Sequence, residues 1–136
     1  MTKAFVDTWF FIGYTNRFDS DHRRAMQIDR RLGGVRLITH DAVLSEFLTF
    51  FAESGRYWRE SAADMVRRVL LDHRFEVLPA DRSLFLTAVN HYADRLDKEY
   101  SLVDCMSMLV MKDHGITHVL TNDHHFRQEG FTVVNE

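Results

Sequence analysis

The sequence predicts an α/β fold in which a mostly parallel, five-stranded sheet is covered by helices on both faces. Three observations carry this expectation. Short apolar runs of strand length alternate with longer segments whose apolar residues recur at helical spacing. Those short runs are apolar on successive residues, the pattern of strands buried on both sides. Breakers are scarce, with one proline and six glycines in 136 residues, which leaves little room for long irregular connections.

In chain order, "KAFVD" reads as a buried first strand ending at Asp7. Helical material follows, in which "DSDHRRAMQIDRRLGG" opens on cap-type residues and closes on Gly33 and Gly34. "VRLIT" is a second strand. With Asp41 as the expected N-cap, "AVLSEFLTFFAESG" forms a helix whose Leu44, Phe47, Leu48 and Phe51 fall at i, i+3, i+4 and i+7, an apolar stripe. "RESAADMVRRVLLDH" is another amphipathic helix and "FEVLP" a third strand. Two more helices follow, "DRSLFLTAVNHYADRLD" and "SLVDCMSMLVMKDHG"; the latter is apolar nearly all round before Lys112, so burial is expected. "ITHVLTND" and "FTVVN" supply the fourth and fifth strands. Without repeats, low-complexity tracts or a Pro/Gly/Ser-rich linker, residues 1–136 read as a single domain.

Composition narrows the class of protein. Apolar residues make up 46 % and charged residues 27 %, close to the averages for folded domains. The lone cysteine, Cys105, excludes an internal disulfide and fits a reducing compartment. The N-terminal "MTKAFVDTWFF" is interrupted by Asp7 and lacks the form of a secretion signal. No run approaches the roughly 20 apolar residues of a membrane span. A cytoplasmic protein with no membrane association is the expectation. The net charge of −3 argues against a general nucleic-acid binder, but the halves differ. Residues 1–68 carry eleven Lys/Arg against nine Asp/Glu, whereas residues 69–136 carry six against eleven. The early doublets Arg23–Arg24, Arg30–Arg31 and Arg67–Arg68 fit solvated helix faces or a surface that guides phosphates.

Four acids then stand out. In parallel α/β sheets, ligands bind beyond the carboxyl ends of the strands where the strand order reverses. Asp7 ends the first strand and Asp123 the fourth, so both face one crevice if these strands are neighbours across the reversal. Glu46 lies on a helix face with Val43 and Phe50, and Asp104 lies in the first turn of the apolar "SLVDCMSMLV" helix. Each has a structural alternative: Asp7 and Asp123 as caps or turn residues, Glu46 as a flank residue, and Asp104 as part of an S-x-x-D capping box with Ser101. Taken together they are harder to explain as caps. Like charges about 4 Å apart repel by about 4 kcal/mol at an effective dielectric near 20, so clustered carboxylates raise one another's pKa or recruit a cation. Oxygen ligands without a nearby thiolate favour Mg²⁺ or Mn²⁺ over Zn²⁺.

At these residues the chain resembles the PIN-domain nucleases, and within them the VapC-type toxins of toxin–antitoxin pairs. The resemblance is carried by "FVDT", by "SEF", by the long block "YSLVDCMSMLVMKDHGITHVLTND" and by the closing "HHFRQEGF", spanning Asp7 to Phe131. It implies a Rossmann-like three-layer α/β/α sandwich, PIN-like in topology. It also implies a Mg²⁺-dependent endoribonuclease, with Mn²⁺ an alternative, an RNA substrate, a small antitoxin that occludes the acidic pocket, and a homodimer. The family's acids fall on Asp7, Glu46, Asp104 and Asp123 as catalytic residues, with Asp7, Asp104 and Asp123 holding metal. Some relatives carry a further acid two residues after the strand-end aspartate, where this chain has His125, leaving open a second metal position and a histidine that ligates Mn²⁺, touches the phosphate or sits at the surface.

Around this site, Thr8 and Thr121 are expected either to orient carboxylates or to make local backbone bonds. Arg17, Arg23 and Arg24 are candidates for the RNA backbone. The alternatives are a PIN-type RNA-processing nuclease outside any toxin pair, a silent binding module, and a metal-independent ribonuclease using His124 or His125. Cys105, inside an apolar helix run, is expected to be inert packing.

Overall fold

In the computed structural model, which describes residues 1–136, five strands form one sheet. They are β1 (Lys3–Val6), β2 (Arg36–His40), β3 (Phe75–Leu78), β4 (His118–Leu120) and β5 (Thr132–Val134), and every pairing is parallel. The order is β3-β2-β1-β4-β5, so β1 is central. The sheet grows in one direction from β1 to β3, then restarts on the other side of β1 with β4 and β5. Right-handed crossovers therefore place the connecting helices of the two halves on opposite faces. One set comprises α1 (Thr8–Thr15), α2 (His22–Arg31), α3 (Asp41–Phe50) and α4 (Arg56–Leu71); the other comprises α5 (Arg82–Ala93), α6 (Leu102–Asp113) and the single turn α7 (His125–Gln128). This is the three-layer α/β/α sandwich expected from the sequence, with a wholly parallel sheet.

The core is one cluster of buried apolar side chains running through all three layers. Phe5 on β1 and Phe10 and Phe11 on α1 join Phe47 on α3 and Phe126 on α7, each at most 2 % exposed. Phe11 packs 5.9 Å from both Phe47 and Phe75, centroid to centroid. Helix α6 buries Cys105, Met106, Ser107, Met108, Val110 and Met111, as its apolar circumference predicts. It ends in a Schellman turn: Ile116 N–H donates to Met111 O at 2.8 Å, and the left-handed φ of 64° at Gly115 makes the reversal possible.

Two local expectations are corrected, the N-cap of α3 and the burial of Leu48, and two helices are resolved that the sequence pattern did not separate. The segment after Asp7 contains a separate helix, α1, which is apolar nearly all round and so lacks a readable stripe. Helix α7 is too short to leave a period. The N-cap of α3 is His40, whose Nδ1 accepts Val43 N–H at 3.4 Å, while Asp41 is the first helical residue and is exposed. Leu48 lies at the solvent-facing edge of the α3 stripe.

His40 is fully buried, and its Nε2 lies 2.9 Å from Ser107 Oγ on α6. It thereby joins the end of β2, the start of α3 and the middle of α6. Burial pulls its pKa down to about 4, so the ring is neutral in the folded chain. Its unfolded value is near 6.5, so the acid side of the stability curve carries a His40 penalty that begins below 6.5 and is complete near 4. His40→Gln is expected to destabilise the protein at pH 7, through the lost cap and packing. That difference from wild type should shrink by up to about 3 kcal/mol as pH falls from 6.5 to 4, read from urea midpoints of the two proteins.

Candidate metal centre

The site is assembled where β1 and β4 end side by side. Asp7 follows β1 directly, and its N–H donates to Leu120 O at 3.1 Å, extending the β1–β4 pairing by one residue. Although Asp7 stands at the N-cap of α1, its side chain makes no cap bond. It is instead held by Thr121, the first residue after β4, whose fully buried hydroxyl donates to Asp7 Oδ2 at 2.7 Å. The same Thr121 oxygen accepts the Asp123 N–H at 3.1 Å, so one threonine fixes both strand-end acids.

The other two acids come from helices. Asp104 closes a complete capping box at the start of α6: its N–H donates to Ser101 Oγ, and its Oδ2 accepts Ser101 N–H, each at 3.0 Å. Its Oδ1 takes no part in the box. Glu46, on α3, accepts the Thr8 hydroxyl at 2.5 Å, which ties α3 to the start of α1 across the mouth of the site. Contrary to the sequence expectation of an apolar setting, Glu46 is exposed, as is Phe50 one turn later. All four acids line one cleft of about 640 Å³, within the size range of sites that take a nucleotide-sized group.

Electrostatically the cleft is uncompensated. No lysine or arginine pairs with any of the four acids; the sole basic side chain paired with one of them is His125, beside Asp123. Asp7 is 7 % exposed, and burial lifts its pKa to about 7, against the opposing pull of the Thr121 hydroxyl and the Thr8 N–H; the charges of Asp104 and Glu46 raise it further. Burial also raises Asp104, reinforced by Asp123 and Glu46 and opposed by the Ser101 bonds. Carboxylates in this state are proton-poor only at a cost, and a divalent cation removes that cost. The donor chemistry, mainly carboxylate oxygen with no thiolate, suits a hard cation. The ligand atoms that converge most closely are those of Asp104, Asp123 and His125, all within 4.8 Å of one another. Asp7 stands outside that trio, deeper in the cleft.

Both threonines thus donate to carboxylates, and Thr121 also takes the local backbone bond from Asp123 N–H. The three arginines are not drawn into the cleft. Arg17 lies over the Phe18 ring, Arg23 is exposed, and Arg24 pairs with Asp21 while covering the Trp9 ring. The lining residues that sequence reasoning passed over are Trp9, Ile12, Thr49 and Asn122, while Phe50 is placed by the sequence on the Glu46 face without a role in the site. Proximity was the signal: Trp9 is two residues from Asp7, and Phe50 one helical turn from Glu46. Cys105 is buried with its thiol pKa raised, which leaves it unreactive.

Residues 4–131 match the PIN domain family. The chain belongs to that family. No curated protein matches it by sequence. Among solved structures, VapC20 of Mycobacterium tuberculosis, a toxin that cleaves the sarcin–ricin loop, superposes with a TM-score of 0.84 at 25 % identity, covering 98 % of this chain and 99 % of its own. FitAcB of Neisseria gonorrhoeae shares the PIN fold with a TM-score of 0.67 at 17 % identity, covering 97 % and 96 %. No helix of the PIN domain is long and apolar enough to cross a membrane.

The raised pKa of Asp7 sets a stability expectation. A carboxyl whose folded value exceeds its unfolded one stabilises fully below about 4 and loses that contribution as pH rises toward 7. In chelator, Asp7→Asn should therefore be more stable than wild type at pH 8, by up to about 4 kcal/mol, and no more stable at pH 4. Denaturant titrations at the two pH values measure both.

Proposed function

We propose that this chain is a divalent-metal-dependent endoribonuclease and the toxin of a toxin–antitoxin pair. One observation carries the reading: a PIN scaffold gathers two strand-end acids and two helix acids in one cleft and supplies no lysine or arginine to neutralise them. The solved structure of 25 % identity is that of an RNA-cleaving toxin, which supports the choice of RNA and of a toxin role.

In this reading Asp104 and Asp123 hold the ion, with Asp7 reaching it from the cleft floor and Glu46 completing the site directly or through water. Mg²⁺ or Mn²⁺, when bound, supplies charge neutralisation at the phosphate and acidifies water for attack on it. The chain's own contribution is placement. Thr121 holds Asp7 and the Asp123 backbone in one register, Thr8 fixes Glu46, and the capping box aims Asp104 from a rigid helix start. Trp9 and Phe50 on the same cleft offer aromatic surface to an unpaired base. A small antitoxin that covers the cleft would silence the activity, and a homodimer and a cytoplasmic setting accord with the toxin reading.

A second reading, a metal-independent ribonuclease, draws on the pairing of His125 Nδ1 with Asp123 at 3.0 Å, an arrangement that also serves a general base. Cleavage of structured RNAs with Mg²⁺, with and without EDTA, separates the two. Under the metal reading, EDTA, Asp7→Asn and Asp104→Asn each reduce cleavage by at least about 100-fold. Cleavage that survives chelation and both substitutions would overturn it.

A further inference from the structure

We infer that His125 is a nitrogen ligand of the metal centre, making it a mixed oxygen–nitrogen site that prefers Mn²⁺ to Mg²⁺. This rests on the metal-dependent reading above and assigns to that site a preference which four carboxylates alone would not give it. The trio of atoms that converge within 4.8 Å contains two carboxylates and this one imidazole. His125 Nδ1 stands 3.0 Å from Asp123 Oδ1 and 3.2 Å from Oδ2. A separation of that size is also the edge of an octahedron whose bonds are about 2.1 Å long, so the two groups can share one ion as neighbouring ligands.

The ring is held in place from behind. His125 N–H donates to Asp123 Oδ1 at 2.9 Å, fixing the backbone that carries the imidazole. Tyr100 packs edge-on against the ring at 5.6 Å between centroids, and Tyr100 is itself 4 % exposed. Its hydroxyl donates to Glu129 Oε2 at 3.1 Å, while Arg95 Nε holds Glu129 Oε1 at 2.8 Å. Residues from the connection between α5 and α6, together with the residue that caps the end of α7, thus converge to set one histidine beside two acids. A surface histidine with no ligand to meet would need none of this support.

The donor type decides the preference. Mg²⁺ is hard, demands oxygen and gives up its waters reluctantly, so an imidazole in its shell gains little. Mn²⁺ accepts carboxylate and water as readily, and as a transition metal it binds imidazole nitrogen better. Ligation uses the Nδ1 lone pair, so the ring proton resides on Nε2, the opposite tautomer to one that donates from Nδ1 to Asp123.

The test uses metal-stripped full-length protein. Mn²⁺ and Mg²⁺ are titrated by calorimetry into wild type, His125→Gln, His125→Asp and Asp104→Asn. Pulsed EPR of the Mn²⁺ form reads directly bound nitrogen, wild type grown with ¹⁵N-histidine shows that the nitrogen is a histidine's, and His125→Gln assigns it among the eight. Circular dichroism of the metal-free variants checks that they fold. The expectation is a ¹⁴N coupling in wild type that changes with the label and disappears in His125→Gln. Mn²⁺ affinity should fall at least about tenfold in His125→Gln while Mg²⁺ affinity changes less than about threefold, and His125→Asp should level the two ions. If Mn²⁺ binds and Asp104→Asn abolishes binding, yet no histidine coupling is seen, His125 only orients Asp123 and this inference falls alone. If wild type binds neither ion, the metal-dependent reading falls with it.

Discussion

A carboxyl group buried behind the ends of two strands has no lysine or arginine in this chain to balance its charge when it ionises. Asp7 occupies that position, with Asp104 and Glu46 adding charge of the same sign, and the whole cleft is organised around the resulting tension. A core optimised for stability alone would place an apolar residue or an ion pair there. The PIN scaffold instead surrounds Asp7 with hydrogen-bond donors, Thr121 foremost, that fix its direction without neutralising it. Under the proposed metal reading, direction is what the ligand needs, and the missing charge is what the cation provides.

The parallel sheet makes this arrangement possible. Reversal of strand order at β1 leaves a gap between the crossover helices of the two faces, and the first residues after β1 and β4 open into it. Helices α3 and α6 approach the gap from opposite faces of the sheet, one bearing Glu46 and the other Asp104. His40 ties those helices together below the cleft, and the Thr8–Glu46 bond ties α1 to α3 at its mouth. Packing, capping and chemistry therefore share the same few residues, and the relative position of the acids is set by buried contacts rather than by loops.

Much of this was legible in the sequence. Asp7 and Asp123 could be placed because strand ends are readable from apolar runs, and the rule for open α/β sheets then says where they meet. Asp104 could be placed from its S-x-x-D spacing and apolar surroundings. Other features left weaker traces. Glu46 lies on the expected face, yet α3 meets solvent there, and helical periodicity reports the direction of a face without saying what covers it. His40 was passed over as a cap because Asp41, a more usual capping residue, stands next to it. Helix α1 left no amphipathic stripe because it is enclosed by α2, α3 and the sheet. The partners of Thr8 and Thr121 lie 38 and 114 residues away in the chain, beyond what local patterns carry.

Under the proposed metal reading, the double employment of Asp104 has an evolutionary corollary. One of its oxygens helps begin a buried helix, so losing that side chain would harm folding as well as chemistry. Asp7 carries no such structural duty, and burying its charge works against the fold. A descendant that gave up catalysis would thus shed the aspartate at the strand end early and keep the one at the helix start. Among silent relatives of this chain, the acid that survives would record architecture, and the acid that drifts would mark when selection for the reaction ended.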